Sequence, residues 1–218
     1  MKVIVAGGTG LTGGFLINEL ENDSSFESVI ALTRKERKSS DKTTWKVIDF
    51  EDTKALEEIT KGVDVVFCCL GTTIKKAGSQ DAFYKVDFEY VVNLAKAARL
   101  NNVRQFSLMS AVGADAKSKV FYNRVKGEVE EAVRSLGFDE LILFQPSLLL
   151  GPRKDTRLGE KIGTILGKLF SPLLFGSMSK YHPIHVSKIA KAMVSEAKIK
   201  TDRGLTVEYN DIIKKVES

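Results

Sequence analysis

The chain is poor in the residues that build cross-linked or metal-dependent folds. Its 218 residues include two cysteines, two histidines, four prolines and one tryptophan. Cys68 and Cys69 are adjacent within an apolar run. They read as buried strand thiols in a reducing compartment, not as a disulfide framework or a metal site. His182 and His185 have the spacing H-x-x-H, but no cysteine or carboxylate lies close by in sequence. A structural role is favoured over zinc ligation, and no metal is expected. No apolar run is long enough to span a bilayer. The first strand begins at Lys2, which leaves no room for a secretory leader. Together these features predict a cytoplasmic protein. An excess of one charge is also lacking. The net charge is +5 with the lysines scattered, and no basic stripe is interleaved with aromatics, so no nucleic-acid partner is expected. Internal repeats and low-complexity linkers are absent too. With 43% hydrophobic and 28% charged residues, the composition is that of one globular α/β domain.

What the chain does have is glycine at one place. Ala6-Gly7-Gly8-Thr9-Gly10-Leu11-Thr12-Gly13 follows the apolar run Val3-Ile4-Val5-Ala6 and precedes the periodic stretch Phe15-Leu16-Ile17-Asn18-Glu19-Leu20. Strand, glycine turn, helix is the order that gives a dinucleotide-binding fingerprint its meaning. Gly8, Gly10 and Gly13 fit G-x-G-x-x-G, and Gly7, Gly10 and Gly13 fit G-x-x-G-x-x-G. Such a loop lets a pyrophosphate approach the main chain, and the following helix N-terminus offers N–H groups and a positive dipole end.

Apolar runs and helical patterns then alternate. Strands are expected at 29–32, 45–48, 63–70, 105–109 and 141–144, with helices at 54–60, 80–100 and 120–136. Repeated alternation predicts an α/β, doubly wound Rossmann fold with a mainly parallel sheet and ligands at the carboxyl ends of its strands. Residues 1–150 form the nucleotide-binding core in this reading. Residues 151–218 form a substrate-side lid and sheet-completing elements of the same domain. Residues 158–175 are unusually apolar, with Pro172 expected to end or kink a helix there. A core helix is favoured over a lid, or over a membrane-surface helix with Lys161 and Lys168 snorkelling. A short strand at 183–186, a helix at 187–197 and a last strand at 205–209 complete the expectation.

Candidate chemistry sits at strand ends. Thr33-Arg34-Lys35 closes the second strand, where a carboxylate would hold a ribose 2′-hydroxyl. Arg34 would instead grip a 2′-phosphate, which predicts NADPH over NADH. Asp49 and Phe50 end the third strand beside the expected adenine position. Leu70-Gly71-Thr72 ends the fourth. Tyr122 and Lys126 stand four apart on one helix face, and Ser110 ends the fifth strand. A free tyrosine titrates at about 10, and a neighbouring ammonium favours its phenolate. Ser110 would hold a substrate oxygen while Tyr122 gives or takes the proton. Lys126 would also bind the nicotinamide ribose.

With Cys68-Cys69-Leu70-Gly71-Thr72-Thr73, Lys76-Ala77-Gly78, Val86-Asp87 and Val125-Lys126-Gly127-Glu128-Val129-Glu130, the chain resembles the short-chain dehydrogenase/reductase superfamily. The similarity is to the atypical group that contains the Tat-interactive protein oxidoreductase. It runs over most of residues 1–150. The resemblance implies a sheet of about seven strands, NADPH as cofactor, Ser110, Tyr122 and Lys126 as catalytic residues, and Pro146 and Ser147 near the nicotinamide. The Asn-Asn-Ala-Gly motif of other branches is replaced by Cys68-Cys69-Leu70-Gly71. Their proton-relay asparagine has no clear counterpart, Asp87 occupying the comparable stretch. The expected function is NADPH-dependent hydride transfer to or from a small or lipid-like carbonyl or alcohol. A non-enzymatic NADPH-binding regulator and an epimerase- or dehydratase-like enzyme on a nucleotide sugar are the alternatives. A small-molecule substrate is the expected partner, and a homodimer or protein partner is left open.

Overall fold

The computed structural model describes residues 1–152, 176–200 and 204–217. The apolar segment expected as a helix at 158–175 lies outside them. Seven strands form one parallel sheet in the order β3-β2-β1-β4-β5-β6-β9. They are β1 (Lys2–Ala6), β2 (Ser28–Thr33), β3 (Thr43–Val47), β4 (Val65–Cys68), β5 (Gln105–Met109), β6 (Glu140–Phe144) and β9 (Leu205–Val207). Every residue of β4, β5 and β6 is buried. This is why these strands read as unbroken apolar runs: a parallel sheet is covered on both faces. A separate two-stranded parallel ribbon joins β7 (Leu149–Leu150) to β8 (Ile184–His185).

Alternation along each strand splits the core in two. Val3, Val5, Val65, Phe67, Ile142 and Phe144 face α1 (Leu11–Asn22), α7 (Val186–Lys198) and α8 (Tyr209–Glu217). Ile4, Ala6, Val66, Leu108, Leu141 and Leu143 face α2 (Thr53–Thr60), α5 (Tyr90–Leu100) and α6 (Phe121–Arg134). The carboxylate of Asp52 caps α2 by accepting from Ala55 N–H at 3.0 Å. Two short helices, α3 (Ile74–Ala77) and α4 (Gln80–Tyr84), precede α5.

Three elements depart from the pattern read in the sequence. The helix expected at 80–100 is interrupted by a π-turn, Lys85–Glu89, whose wider spacing shifts the register of the helix face. Tyr209 does not end the last strand but begins α8. There Glu208 N–H donates to the Asp211 carboxylate at 3.0 Å, half of a capping box, and Ile212 is buried. The third is β7, too short to give a periodic signal, which pairs with β8 inside the strand expected at 183–186.

The C-terminal elements complete the same body. β9 pairs with β6, and α7 packs along α1, burying Ile189, Ala190, Met193 and Ala197. Lys198 donates to Asp23 at 2.8 Å, joining the ends of α7 and α1. That bond, with the Ser25 N–H, holds the Asp23 carboxyl down at about 2, so the tether is present above the ordinary carboxylate range and is lost as pH falls through about 2. The buried Glu196 of α7 pairs with Lys215 of α8.

One contact fixes the helix that follows β5. The loop 111–118 lies so close to α6 that a Cβ at Gly127 would stand 2.0 Å from the Ala116 nitrogen. Asp115 N–H also donates to the Asn123 carbonyl at 3.0 Å. Backbone cannot yield as a flexible side chain would. Gly127→Ala is therefore expected to lose about 1–3 kcal/mol, the usual cost of overpacking, measured as a fall in the urea midpoint with an unchanged slope.

Candidate functional site

The strand order reverses between β1 and β4, and the chain leaving each turns to opposite sides. A crevice opens where they part. Ala6 and Cys68 are partners in the sheet, so the glycine loop lies directly beside Cys69 to Thr72. Gly7 adopts φ +81°, and a Cβ there would sit 2.3 Å from the Cys69 carbonyl oxygen. Gly10 N–H donates to Gly7 O at 2.9 Å, closing the turn, and Gly10 then precedes the first turn of α1 without a side-chain cap. At Gly13 a Cβ would meet Gly7 O at 2.4 Å. The helix thus starts against the loop, and its first N–H groups have no carbonyl one turn back.

A cleft of about 980 Å³ opens there. It brings together most of the expected residues: Thr9, Gly10, Leu11 and Thr12 from the loop, Leu70, Gly71 and Thr72 after β4, Ser110 after β5, Tyr122 and Lys126 from α6, and Pro146 and Ser147 after β6. Gly7, Gly8 and Gly13 shape the loop from behind it. Four others stand apart from the cleft. Thr33 is buried, its hydroxyl accepting from Lys35 N–H at 3.2 Å and donating to Lys35 O at 3.0 Å, which orders the turn carrying exposed Arg34. Asp49 is exposed, with Oδ1 accepting from Glu51 N–H at 3.0 Å. The Phe50 ring is turned into the core and stacks on Tyr90 at 5.6 Å, so only its backbone faces outward. Arg34 and Asp49 both act electrostatically on Tyr90, so the β2 and β3 ends converge on one patch.

The reacting end is held from several sides. Ser110 N–H donates to Phe144 O at 2.8 Å and Val112 N–H to Pro146 O at 3.0 Å, zipping the serine loop to the end of β6. The Ser110 hydroxyl is buried and has no hydrogen-bond partner among the described residues. Tyr122, in the first turn of α6, leans on the buried ring of Phe83 at 5.8 Å and remains 37% exposed. Ser147 donates its hydroxyl to the His182 carbonyl.

Sequence reading noted the place of Asp87 but gave it no role in the site. Its carboxylate lines the cleft, with Oδ1 2.9 Å from Lys126 Nζ and Oδ2 accepting from Thr72 N–H at 2.8 Å. Both side chains are almost wholly buried, at 1% and 6% exposure. Burial pushes the Lys126 ammonium down, but the charge of Asp87, with a smaller contribution from Tyr122, carries it above the ordinary lysine value. A signal was present: Asp87 occupies the apolar stripe with Phe83, Val91 and Leu94, and a carboxylate there needs a partner. Phe15, Asn18, Cys69, Thr73 and Lys76 also line the cleft without having been singled out for it.

The two histidines go separate ways. His185 caps α7, its Nδ1 accepting from Ser187 N–H at 3.3 Å, while the His182 ring rests on Tyr209 at 5.2 Å. Among the described residues no group of three or more His, Cys, Asp or Glu is arranged to hold a metal. Burial pushes the Cys68 thiol up to about 12 and raises Cys69 as well. Both stay as thiols at every pH below that range, and the thiolate is the reactive form. Iodoacetamide at pH 8 is expected to leave both cysteines unlabelled in the folded protein and to label both in guanidinium chloride, as read by mass spectrometry.

A model of the family described as NAD(P)H-binding matches residues 7–171. Protein HTATIP2 of Rattus norvegicus is 36% identical over 198 residues, covering 89% of this chain and 80% of that protein. Protein FMP52, mitochondrial, of Eremothecium gossypii is 31% identical over 199 residues, covering 90% and 88%. Its Candida albicans namesake is 31% identical over 217 residues, covering 97% and 92%. Among solved structures, MoeE5 in complex with UDP-glucose and NAD has a TM-score of 0.74 at 15% identity, covering 100% of this chain and 81% of that one. UDP-glucuronic acid 4-epimerase from Bacillus cereus, in complex with UDP-glucuronic acid and NAD, has a TM-score of 0.72 at 16% identity, covering 95% and 76%. At such identities the likeness is one of fold. The FMP52 relatives are mitochondrial by name, which overturns the expectation of a cytoplasmic protein. Unpaired thiols specify a reducing surrounding, not which compartment supplies it. With the glycine loop at the switch point of a seven-stranded parallel sheet and three quarters of the chain under one family model, the protein belongs to the NAD(P)H-binding family, with a Rossmann fold of the short-chain dehydrogenase/reductase type.

Proposed function

We propose that the protein is an NADPH-dependent oxidoreductase acting on a small or lipid-like carbonyl or alcohol through Ser110, Tyr122 and Lys126. The observation that carries this reading is the Ser110 hydroxyl, buried without a partner among the described residues in the same cleft as the glycine loop, Tyr122 and Lys126. Leaving such a group unbonded costs about 1–3 kcal/mol, which a ligand oxygen at that place would recover. The residues present fit a nicotinamide dinucleotide. The glycine loop and the N-terminus of α1 take the pyrophosphate. Asp49 and the Phe50 backbone would hold the adenine end of such a cofactor, Leu70, Gly71 and Thr72 its middle, and Pro146 and Ser147 its nicotinamide end.

NADPH is favoured over NADH by the turn after β2. Arg34 there has no hydrogen bond or ion pair among the described residues, and it stands directly after β2 where a carboxylate would serve a 2′-hydroxyl, Glu36 following two residues later. Beside it, Arg37 lies 5.1 Å over the Trp45 ring, whose edge approaches the glycine loop at Gly8. A second guanidinium is thus carried toward the same phosphate.

When bound, the nicotinamide supplies or takes up a hydride. Ser110 donates to the substrate oxygen. Tyr122 gives a proton to that oxygen in reduction and takes one from it in oxidation. The Lys126 ammonium is ion-paired with Asp87 and has three donors, so it could also hold the ribose hydroxyls of a bound cofactor and act on Tyr122.

Two measurements test this. NADPH oxidation against aldehydes, ketones and quinones should show turnover that falls by about 10²–10⁴-fold in Tyr122→Phe. No turnover with any compound, in protein that binds NADPH tightly, overturns the enzyme and leaves the regulator. By fluorescence titration, Arg34→Ala should weaken NADPH by about 10–100-fold, the loss of a charge-assisted bond of about 1.5–3 kcal/mol, and leave NADH nearly unchanged. Equal losses for both cofactors would remove the 2′-phosphate assignment.

A further inference from the structure

The Asp87–Lys126 pair has three features that a simple salt bridge lacks. The first is its backbone. Asp87 is the middle residue of the π-turn Lys85–Glu89, a local widening that interrupts an otherwise regular helix at that one place. Such turns cost regular hydrogen bonding and recur at functional sites. The second is its anchorage. Oδ2 is held by Thr72 N–H at 2.8 Å, so Oδ1 is aimed at Lys126 Nζ from a fixed support. The pair lies directly against Gly71, where a Cβ would stand at ordinary contact distance, 3.4 Å from Asp87 Oδ1 and 3.9 Å from Lys126 Nζ. The third is burial. Ion pairs so deeply enclosed rarely add stability over an apolar pair of equal volume, yet this one lines the cleft that holds Ser110 and Tyr122.

We propose that Asp87 is the positioning residue of this centre, holding Lys126 charged and pointed toward Tyr122 by direct contact with its ammonium. This rests on the oxidoreductase reading for its purpose but not for its test. Three groups bear on the lysine. Asp87 faces it from the π-turn, Tyr122 from its own helix and Cys68 from β4, while burial opposes its charge. Cys68 is a neutral thiol below about pH 12, and Tyr122 is one turn away along the helix, so Asp87 is the one carboxylate acting on it among the described residues. Replacing that carboxylate by an amide removes the main opposition to burial and leaves only the smaller contributions of Tyr122 and Cys68. Lys126 would then give up its proton below the ordinary lysine value of about 10.4. In the protein as it stands, the charge persists up to and beyond that value and is lost only as pH rises through the raised one.

The experiment is a pH titration of the ¹³Cε and ¹⁵Nζ resonances of Lys126 in cofactor-free protein, assigned with Lys126→Arg. Wild-type protein is expected to titrate above the ordinary lysine range, Asp87→Asn below it, and Asp87→Glu, which keeps the charge on a longer arm, on the wild-type side. Wild-type Lys126 titrating at or below the ordinary value overturns the proposal without any variant. Asp87→Asn that folds, by circular dichroism, and titrates as wild type overturns it too. Once a substrate is found, the alkaline limb of kcat against pH should move to lower pH in Asp87→Asn and return in Asp87→Glu. A merely structural role would lower stability and leave that limb in place. The titration needs no turnover. A protein that reduces nothing but shows the expected titration refutes the enzyme reading alone, and turnover with an unmoved titration refutes this proposal alone.

Discussion

The passage of Gly7 against the Cys69 carbonyl is the constraint on which the rest of the carboxyl edge depends. β1 and β4 are neighbours up to Ala6 and Cys68 and must part in the next residue. They part with a left-handed glycine on one side and a carbonyl on the other, at a separation no side chain would survive. From that point the direction of α1 follows, and Gly13 must in turn sit on Gly7 O. On the other side the chain runs through Gly71 and Thr72, whose N–H takes the Asp87 carboxylate. The glycine-loop side and the Asp87–Lys126 side of the cleft are therefore set by one backbone contact and not by two independent designs.

The reacting side is built from groups that are costly to bury. A carboxylate and an ammonium lie together beneath Gly71, and a hydroxyl is left open beside them. Apolar residues would fill the same space with less conflict. What this arrangement supplies is direction: three polar atoms held by the π-turn, by α6 and by the zipped ends of β5 and β6.

Much of this was written in covalent spacing and so could be read. The glycine loop and Tyr122/Lys126 are local patterns, and adjacency in sequence is adjacency in space. The inner strands were legible because both faces are covered, which makes Val65 to Cys68 and Leu141 to Phe144 apolar throughout. What escaped needed either one extra residue in a helical turn or a partner far along the chain. The π-turn carries no composition of its own, and Asp87 makes sense only once Lys126, 39 residues later, is beneath it. Phe50 was expected to end the third strand, but β3 ends at Val47, and the Phe50 ring follows the core and packs on Tyr90. The start of α8 at Tyr209 depended on a carboxylate, Asp211, bonding backward to Glu208, where β-favouring residues had suggested more strand.

The packing of α7 on α1 bears on the order in which the molecule can be made. The helix that opens toward the phosphates has its apolar side covered by Ile189, Ala190 and Met193, and its far end fastened by Lys198 to Asp23. The sheet edge at β6 waits for β9 in the same way. In a chain emerging from the ribosome the glycine loop can seat against Cys69 once β4 has formed, but the apolar side of α1 stays uncovered until α7, some 175 residues further along, has followed. Nascent chains cut short near residue 150 would carry an open strand edge and a bare helix face, the two surfaces on which chaperones and aggregation compete.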